Sequence, residues 1–334
     1  MIADASGRSP APRISVSVVT YNNAHCLPAF LDCLRAQKGV CWEAFFFDNG
    51  SRDATGELIR NAGFGDFFVS ETNVGYGRAH NRNASKARAE YLLILNPDLR
   101  FDPDLFATLV ASMEQNPQLT FLGPQILEGP EYRPFPPRMF YPGEGMVPLE
   151  PGLRREEIAW LNGCCLLVQR EAFDVVHGFD TDFFLYQAEA DLCLRARRAG
   201  YRLGHIDNAV VYHEQRESQR DLSEYDYSRR IFEGNGVFWK KHYASLDFVR
   251  MLRFQHWMCG LLLSLGKTRD RIPLPQHLLS EARLQARRDV CAELLGGEVG
   301  RVRALPSLPL RIGMRQIRLI LEWIRRGRFP LDDY

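Results

Sequence analysis

From Ile14 the chain alternates between two hydrophobic periods. Ile14–Thr20 is a short β-branched run and reads as a buried strand. Residues 26–37 then set Leu27, Phe30, Leu31 and Leu34 on one face at helical spacing. A second strand is predicted over 43–47, a short helix over 53–61 and a third strand over 67–69. Residues 77–88 read as a helix of small residues, and Tyr91–Leu95 as a fully buried strand. Pro103 opens the next helix behind Asp102 as its cap. Such alternation predicts an α/β fold, a mostly parallel sheet flanked by helices. Further strands are predicted over 160–168 and 210–213, with a helix over 191–199 closed by Gly200. Residues 124–155 are rich in Pro, Gly and aromatics and predict a loop or β excursion over the sheet. Beyond about 245 the pattern turns helical, apolar and basic.

Composition narrows the class. The 334 residues are 46% hydrophobic and 25% charged, which fits one large globular domain or two. With 42 Lys and Arg against 41 Asp and Glu the net charge is +1, so no nucleic-acid partner is expected. The eight cysteines form no C-x-x-C pair and no zinc spacing. Residues 1–12 read as a flexible tail without the apolar core of a signal peptide. A cytoplasmic protein with reduced, packed cysteines is the expectation. No apolar run reaches the length of a membrane-spanning helix.

In open α/β sheets ligands bind beyond the carboxyl ends of the strands. Three polar clusters fall there: Thr20-Tyr21-Asn22, Asp48-Asn49 and Asn96-Pro97-Asp98. Asp48 either accepts hydrogen bonds from a nucleobase or caps a turn. In Asn73-Val-Gly75-Tyr76-Gly-Arg78-Ala-His-Asn81 the glycines allow a phosphate close to the backbone, and Arg78 adds a fork; a plain loop is the alternative. Asp98 suits a hard cation, Mg²⁺ or Mn²⁺, shared with substrate phosphates, or else an Asx-Pro turn. Glu189 follows an aromatic segment whose apolar surroundings would tune it as a base, whereas Asp191 is placed to cap a helix. His213 ends a strand, either as a surface residue or as a metal or phosphate ligand. In this order the clusters describe a nucleoside-diphosphate and metal site with a base beyond it.

From about Ile14 to about Tyr243 these motifs resemble glycosyltransferase family 2, the inverting GT-A enzymes, and its rhamnosyltransferase-like members above all. The resemblance implies a GT-A, Rossmann-like fold with a C-terminal helical extension. It implies a nucleotide-sugar subdomain over 13–125, an acceptor and catalytic subdomain over 126–245 and the extension over 246–334. Thr20, Tyr21, Asn22, Asp48, Asn73, Gly75, Tyr76, Arg78, Asn81, Asn96 and Gly163 would bind the nucleotide sugar. Asp98 and His213 would hold the metal, and Glu189, with Asp191 as second choice, would act as base. Where the family commonly carries two adjacent acids, this chain has Ala188-Glu189. The implied reaction inverts the anomeric carbon of a hexose, best matched by L-rhamnose from dTDP-L-rhamnose. The implied acceptor is a hydroxyl of a cell-envelope polysaccharide or lipid-linked saccharide. A catalytically silent nucleotide-sugar-binding or scaffold protein of the same fold is the alternative.

The C-terminal stretch bears on location. Residues 267–328 carry 14 Arg and Lys against 6 acids. Ile317, Ile320, Leu321 and Ile324 form one apolar face among arginines. Such a helix fits either the inner face of the plasma membrane, as a peripheral anchor, or a homodimer contact.

Overall fold

Within Ile14–Thr20, β1, the side chains alternate as the pleat requires, and both sets are buried. Ile14, Val16 and Val18 join one apolar core; Ser15 and Ser17 face the other way and are also fully buried. The computed structural model describes residues 11–144, 149, 158–214, 222–266 and 280–298. It divides into two units, Met1–Met139 with Arg154–Arg220, and Phe140–Leu153 with Asp221–Tyr334.

In the first unit β1 runs parallel to β2 (Trp42–Asp48) and to β4 (Tyr91–Leu95), and β3 (Asp66–Val69) extends the same parallel set beyond β2. Beyond β4 the sheet becomes mixed. β8 (Cys165–Gln169) pairs antiparallel with β4 and with β6 (Phe121–Glu128). β9 (Leu203–His213) runs parallel to β6, and β5 (Leu99–Phe101) closes the order antiparallel to β9. The short β7 (Arg133–Phe135) pairs with β6. The fold is therefore the expected α/β sheet, parallel across β3-β2-β1-β4 and mixed across its other half.

The apolar face of β1, with Leu93 and Leu95 of β4, packs on Leu27, Phe30, Leu31 and Leu34 of α1 (Leu27–Arg35). Phe106 and Leu109 of α4 (Leu105–Gln115) complete that core. Each fully buried side chain of this size contributes about 1.5–3 kcal/mol. On the serine face lies α3 (Tyr76–Ala84), whose small residues let it sit close. Ser17 Oγ lies 2.7 Å from His80 Nδ1, and Asn83 Nδ2 donates to Ser17 Oγ, Val18 O and Phe45 O at 3.0–3.1 Å. These bonds let a strand be buried on both faces while carrying hydroxyls.

Several elements differ from the sequence expectation. α3 ends at Ala84 rather than 88, because Lys86 N and Ala87 N fold back in tight turns onto Asn83 O and Ala84 O. The strand expected over 160–168 is shorter, and Trp160 makes only an isolated bridge with Arg138. Residues 121–128 are a strand despite Pro124, because the register slips between Pro124 and Gln125 against β9. β9 begins at Leu203, well before 210.

The second unit is helical among its described residues. α9 (Glu281–Glu298) packs against both α7 (Glu224–His242) and α8 (Ser245–Gly266). Arg229 of α7 forks onto Glu293, Tyr225 OH donates to Asp289 at 2.8 Å, and Arg287 stacks over Phe232. Tyr141 stacks on Phe238 and Tyr243 OH donates to Pro142 O, so 140–144 belongs with these helices. No helix of the described residues is long and apolar enough to cross a membrane. The basic face around 317–326 lies outside the described residues. The replacement Asn83→Ala removes the buried amide donor shared by the Val18 and Phe45 carbonyls and Ser17 Oγ, which keeps His80. It is expected to cost about 1–3 kcal/mol, read as a lower urea midpoint at unchanged slope.

Candidate active site

Strand register assembles the site. Thr20 pairs with Asp48, so the carboxyl ends of β1 and β2 are level, and Asn96 follows the end of β4 beside them. Leu95 faces Cys165 across the antiparallel pair, and Asn96 N donates to Cys164 O at 2.8 Å. Gly163 and Cys164 therefore stand at the same edge. Glu128 faces His213, which faces Leu99, so the ends of β6 and β9 and the start of β5 are level too. One sheet edge thus carries Asp48, Thr20, Asn96, Asp98, Gly163, Glu128 and His213.

Asp48 is 2% exposed and its Oδ1 accepts from Thr20 Oγ1 at 3.2 Å and from the Ser51 hydroxyl. Asn22, at φ +55°, locks the neighbouring loop: its amide donates to Ser51 Oγ and its side-chain oxygen accepts from Arg52 N. Tyr21 stands half-buried between these groups, its amide donating to Asn23 Oδ1. The glycine turn is held from the β2 side, since Asn49 Oδ1 accepts from Val74 N at 2.7 Å. Asn73 Oδ1 accepts from Gly75 N at 3.0 Å. Gly75 sits at φ +92°, and a Cβ there would lie 2.8 Å from Phe184 O, so no other residue fits. Arg78 is exposed in the first turn of α3. Asn81 is turned away from the edge, its amide exchanging two hydrogen bonds with the Phe179 backbone.

Tyr76 ties three segments together. Its amide donates to Phe184 O at 2.7 Å and its hydroxyl to Gly163 O at 2.8 Å. Its ring meets the edge of His80 at 4.3 Å. Burial, and then the Glu189 carboxylate, push the Tyr76 phenol well above its ordinary range. Burial holds His80 neutral, pushed down to about 3. A Cβ on Gly163 would lie 3.0 Å from the Tyr76 hydroxyl and 3.3 Å from Glu189 Cβ. Glycine is thus required where the base candidate stands against the sheet edge.

Glu189 lies in the first turn of α6 (Ala188–Arg198), which Gln187 enters at φ +71°. This non-glycine residue in the left-handed region marks local strain at the entry to the helix. Burial raises the Glu189 carboxyl from 4.5 to about 7. Its charge and that of Asp98 both push the Tyr76 phenol and the Cys164 thiol upward, behind burial as the larger cause. Asp191 is 1% exposed and its Oδ2 accepts from Arg195 Nε at 2.8 Å. Arg195 also donates to the Val176 and Gly178 carbonyls, so Asp191 anchors α6 to the turn after α5 (Arg170–Val175).

Asp98 is 7% exposed and its Oδ1 makes no hydrogen bond. His213 Nε2 lies 3.5 Å from it, and His213 Nδ1 lies 3.1 Å from Glu128 Oε1. Burial alone would lower His213, but the Asp98 and Glu128 carboxylates overrule it and push the imidazole up to about 10. Among the described residues no group of three or more His, Cys, Asp or Glu is gathered to hold a metal ion by itself. Asp98 and His213 would supply two ligands of a site whose others come from bound phosphates and water. Glu128 escaped sequence reasoning, and the partners of Asn49 and Ser51 did too. Asn49 and Ser51 are ordinary turn residues, and Glu128 is 85 residues from the histidine it meets.

This fold and edge define a glycosyltransferase of the GT-A fold. Residues 15–194 match the sequence profile of glycosyl transferase family 2, and the chain belongs to that family. It is 27% identical over 237 residues to N-acetylglucosaminyl-diphospho-decaprenol L-rhamnosyltransferase of Mycobacterium tuberculosis, covering 61% of this chain and 77% of that one. It is 26% identical over 213 residues to the low-salt glycan biosynthesis hexosyltransferase Agl10 of Haloferax volcanii, covering 59% and 66%. Its fold is similar to mannosyltransferase PcManGT from Pyrobaculum calidifontis in complex with GDP-Man and Mn²⁺, at TM-score 0.50 and 16% identity over 96% of this chain and 88% of that one.

Asp191→Ala strands the Arg195 guanidinium between two carbonyls and is expected to destabilise by about 3–5 kcal/mol, read by chemical unfolding. Glu189 behaves in the opposite sense. Its folded pKa lies above the unfolded one, so its contribution is fullest below about 4.5 and is lost as pH rises through about 7. Glu189→Gln should therefore be at least as stable as the natural protein at pH 8, with that advantage shrinking towards pH 4.5.

Proposed function

We propose that the chain transfers a hexose, L-rhamnose from dTDP-L-rhamnose as first choice, to a hydroxyl of a lipid-linked saccharide or growing cell-envelope polysaccharide, with inversion. The observation that carries this reading is Glu189, raised by burial and seated against Gly163 at the edge that also bears Asp98. The rhamnosyl donor is supported by the name of the mycobacterial relative.

Asp48 and Tyr21 would hold the nucleobase by hydrogen bonding and stacking, with Thr20 and Asn22 keeping them in place. Asn73 would offer its backbone amide to the diphosphate and Arg78 its guanidinium, with Gly75 letting the chain turn close to it. Asn96 and Gly163 would line the sugar. Asn81, Asp191 and the Tyr76 hydroxyl serve the frame, through Phe179, Arg195 and Gly163.

A divalent cation fits here on its own chemistry, since Asp98 Oδ1 is buried without a hydrogen bond and His213 Nε2 faces it. Asp98 and His213, the latter after giving up its Nε2 proton to the arriving cation, would hold Mg²⁺ or Mn²⁺, which would supply positive charge against that developing on the leaving diphosphate. Glu189 would take the proton of the attacking acceptor hydroxyl as that oxygen bonds to the anomeric carbon and the bond to the diphosphate breaks. The enclosure that raises Glu189 brings it close to neutral pH, where a general base works best. The sequence-based choice between a peripheral site on the inner membrane face and a homodimer stays with the C-terminal residues; a cytoplasmic enzyme fits either.

Two measurements test this. Among dTDP-rhamnose, UDP-glucose, GDP-mannose and UDP-N-acetylglucosamine with Mn²⁺, dTDP-rhamnose should raise the melting temperature most. Equal or absent protection by all four rejects the donor reading. Glu189→Gln should bind the donor normally and lose about 10²–10⁴ in kcat. In the natural enzyme kcat should rise with pH through about 7 as the base ionises. Undiminished turnover in the variant removes Glu189 from the role.

A further inference from the structure

Glu128 closes β6, and nothing in its local sequence marks it. Two strand pairings fix the backbone of His213: it stands opposite Glu128 on β6 and opposite Leu99 on β5. Those pairings leave the imidazole free to turn about its Cα–Cβ and Cβ–Cγ bonds. The ring orientation is set by what its nitrogens meet. Nδ1 lies 3.1 Å from Glu128 Oε1 and Nε2 lies 3.5 Å from Asp98 Oδ1. The first is a hydrogen bond; the second is longer than a good one.

The three side chains are enclosed, with exposures of 12% for His213, 11% for Glu128 and 7% for Asp98. A carboxylate so little exposed is costly unless it is well partnered. The two imidazole nitrogens point in divergent directions, so a carboxylate bound at Nδ1 cannot share an ion held at Nε2. Accordingly, these three residues are not gathered around one point. Glu128 thus stands behind the histidine, on the side away from Asp98.

We infer that Glu128 is a positioning residue, holding His213 with Nε2 turned to Asp98 so that the pair forms the protein half of a divalent-cation site completed by the donor diphosphate. The inference rests on the proposed donor site. A carboxylate in this position both orients the imidazole and makes its other nitrogen a better ligand. Glu128 touches neither donor nor acceptor in this assignment, so its removal acts on cation binding and leaves nucleotide contacts alone.

The test reads binding rather than turnover. Mn²⁺ is titrated by electron paramagnetic resonance into the full chain with saturating dTDP or UDP, whichever raises the melting temperature more. The natural protein, Glu128→Ala and Glu128→Gln are compared, each first checked for its melting temperature. Glu128→Ala is expected to weaken Mn²⁺ by about 10–100-fold. Glu128→Gln keeps an oxygen that accepts from Nδ1–H and should stay nearer the natural protein. Nucleotide affinity in EDTA should be equal in all three. Equal Mn²⁺ affinity across the three proteins overturns the role of Glu128 and leaves the donor site standing. No nucleotide-dependent Mn²⁺ binding by the natural protein overturns both.

Discussion

The antiparallel pairing of β8 with β4 is the constraint on which the site depends. It opposes Leu95 and Cys165, and the Asn96 amide then meets the Cys164 carbonyl. Asp98 lies three residues past the end of β4, and Gly163 lies two before the start of β8. The side chain proposed to face the diphosphate and the glycine that seats the proposed base are therefore separated by one strand pair, although 65 residues part them in sequence. A site built on paired strands is held more closely than one built on loops. Tyr76 adds a cross-tie, because its hydroxyl bonds the Gly163 carbonyl from a helix that packs on the other side of β1.

The buried acids sort by whether they are satisfied. Asp48 takes Thr20 and Ser51, Asp191 takes Arg195, and Glu128 takes His213. These bonds join segments distant in the chain, tie a loop to its strand or brace a helix, which is frame work. Two acids stand apart. Asp98 Oδ1 is buried without a hydrogen bond, and Glu189 meets no other residue's side chain in a hydrogen bond among the described residues. Unspent acceptors are costly in the folded protein unless a ligand completes them.

Much of this was legible in the sequence where local pattern and tertiary role agree. β1, β2 and β4 are short apolar runs ending in polar clusters, and their burial on both faces follows from that text. β6 and β9 were harder. Pro124 argues against a strand, and His205, Asp207 and Asn208 interrupt the apolar pattern of β9. A register slip at Pro124 and Gln125 absorbs the misfit, and no local reading foresees such a slip. The cluster residues Asp48, Asp98, Glu189 and His213 stood out because each ends a strand or opens a helix. Glu128 did not, since its meaning lies in a partner 85 residues away, and Asn49 stood out only as a neighbour of Asp48, its hold on the glycine turn lying 25 residues off.

Ala188 is the point where this chain leaves the family's usual pair of adjacent acids. It is completely buried, so an acid there would place a second carboxylate in the interior, one residue from Glu189. Two such neighbours cannot both ionise cheaply, and one would be forced to hold a proton near neutral pH. With alanine in that place the ionisation of Glu189 is governed chiefly by its own enclosure. The helix entry at Gln187 and the Asp191–Arg195 anchor still fix the direction from which that carboxylate approaches Gly163. Alanine in place of the first acid therefore removes a competing charge and leaves the seat of the proposed base intact.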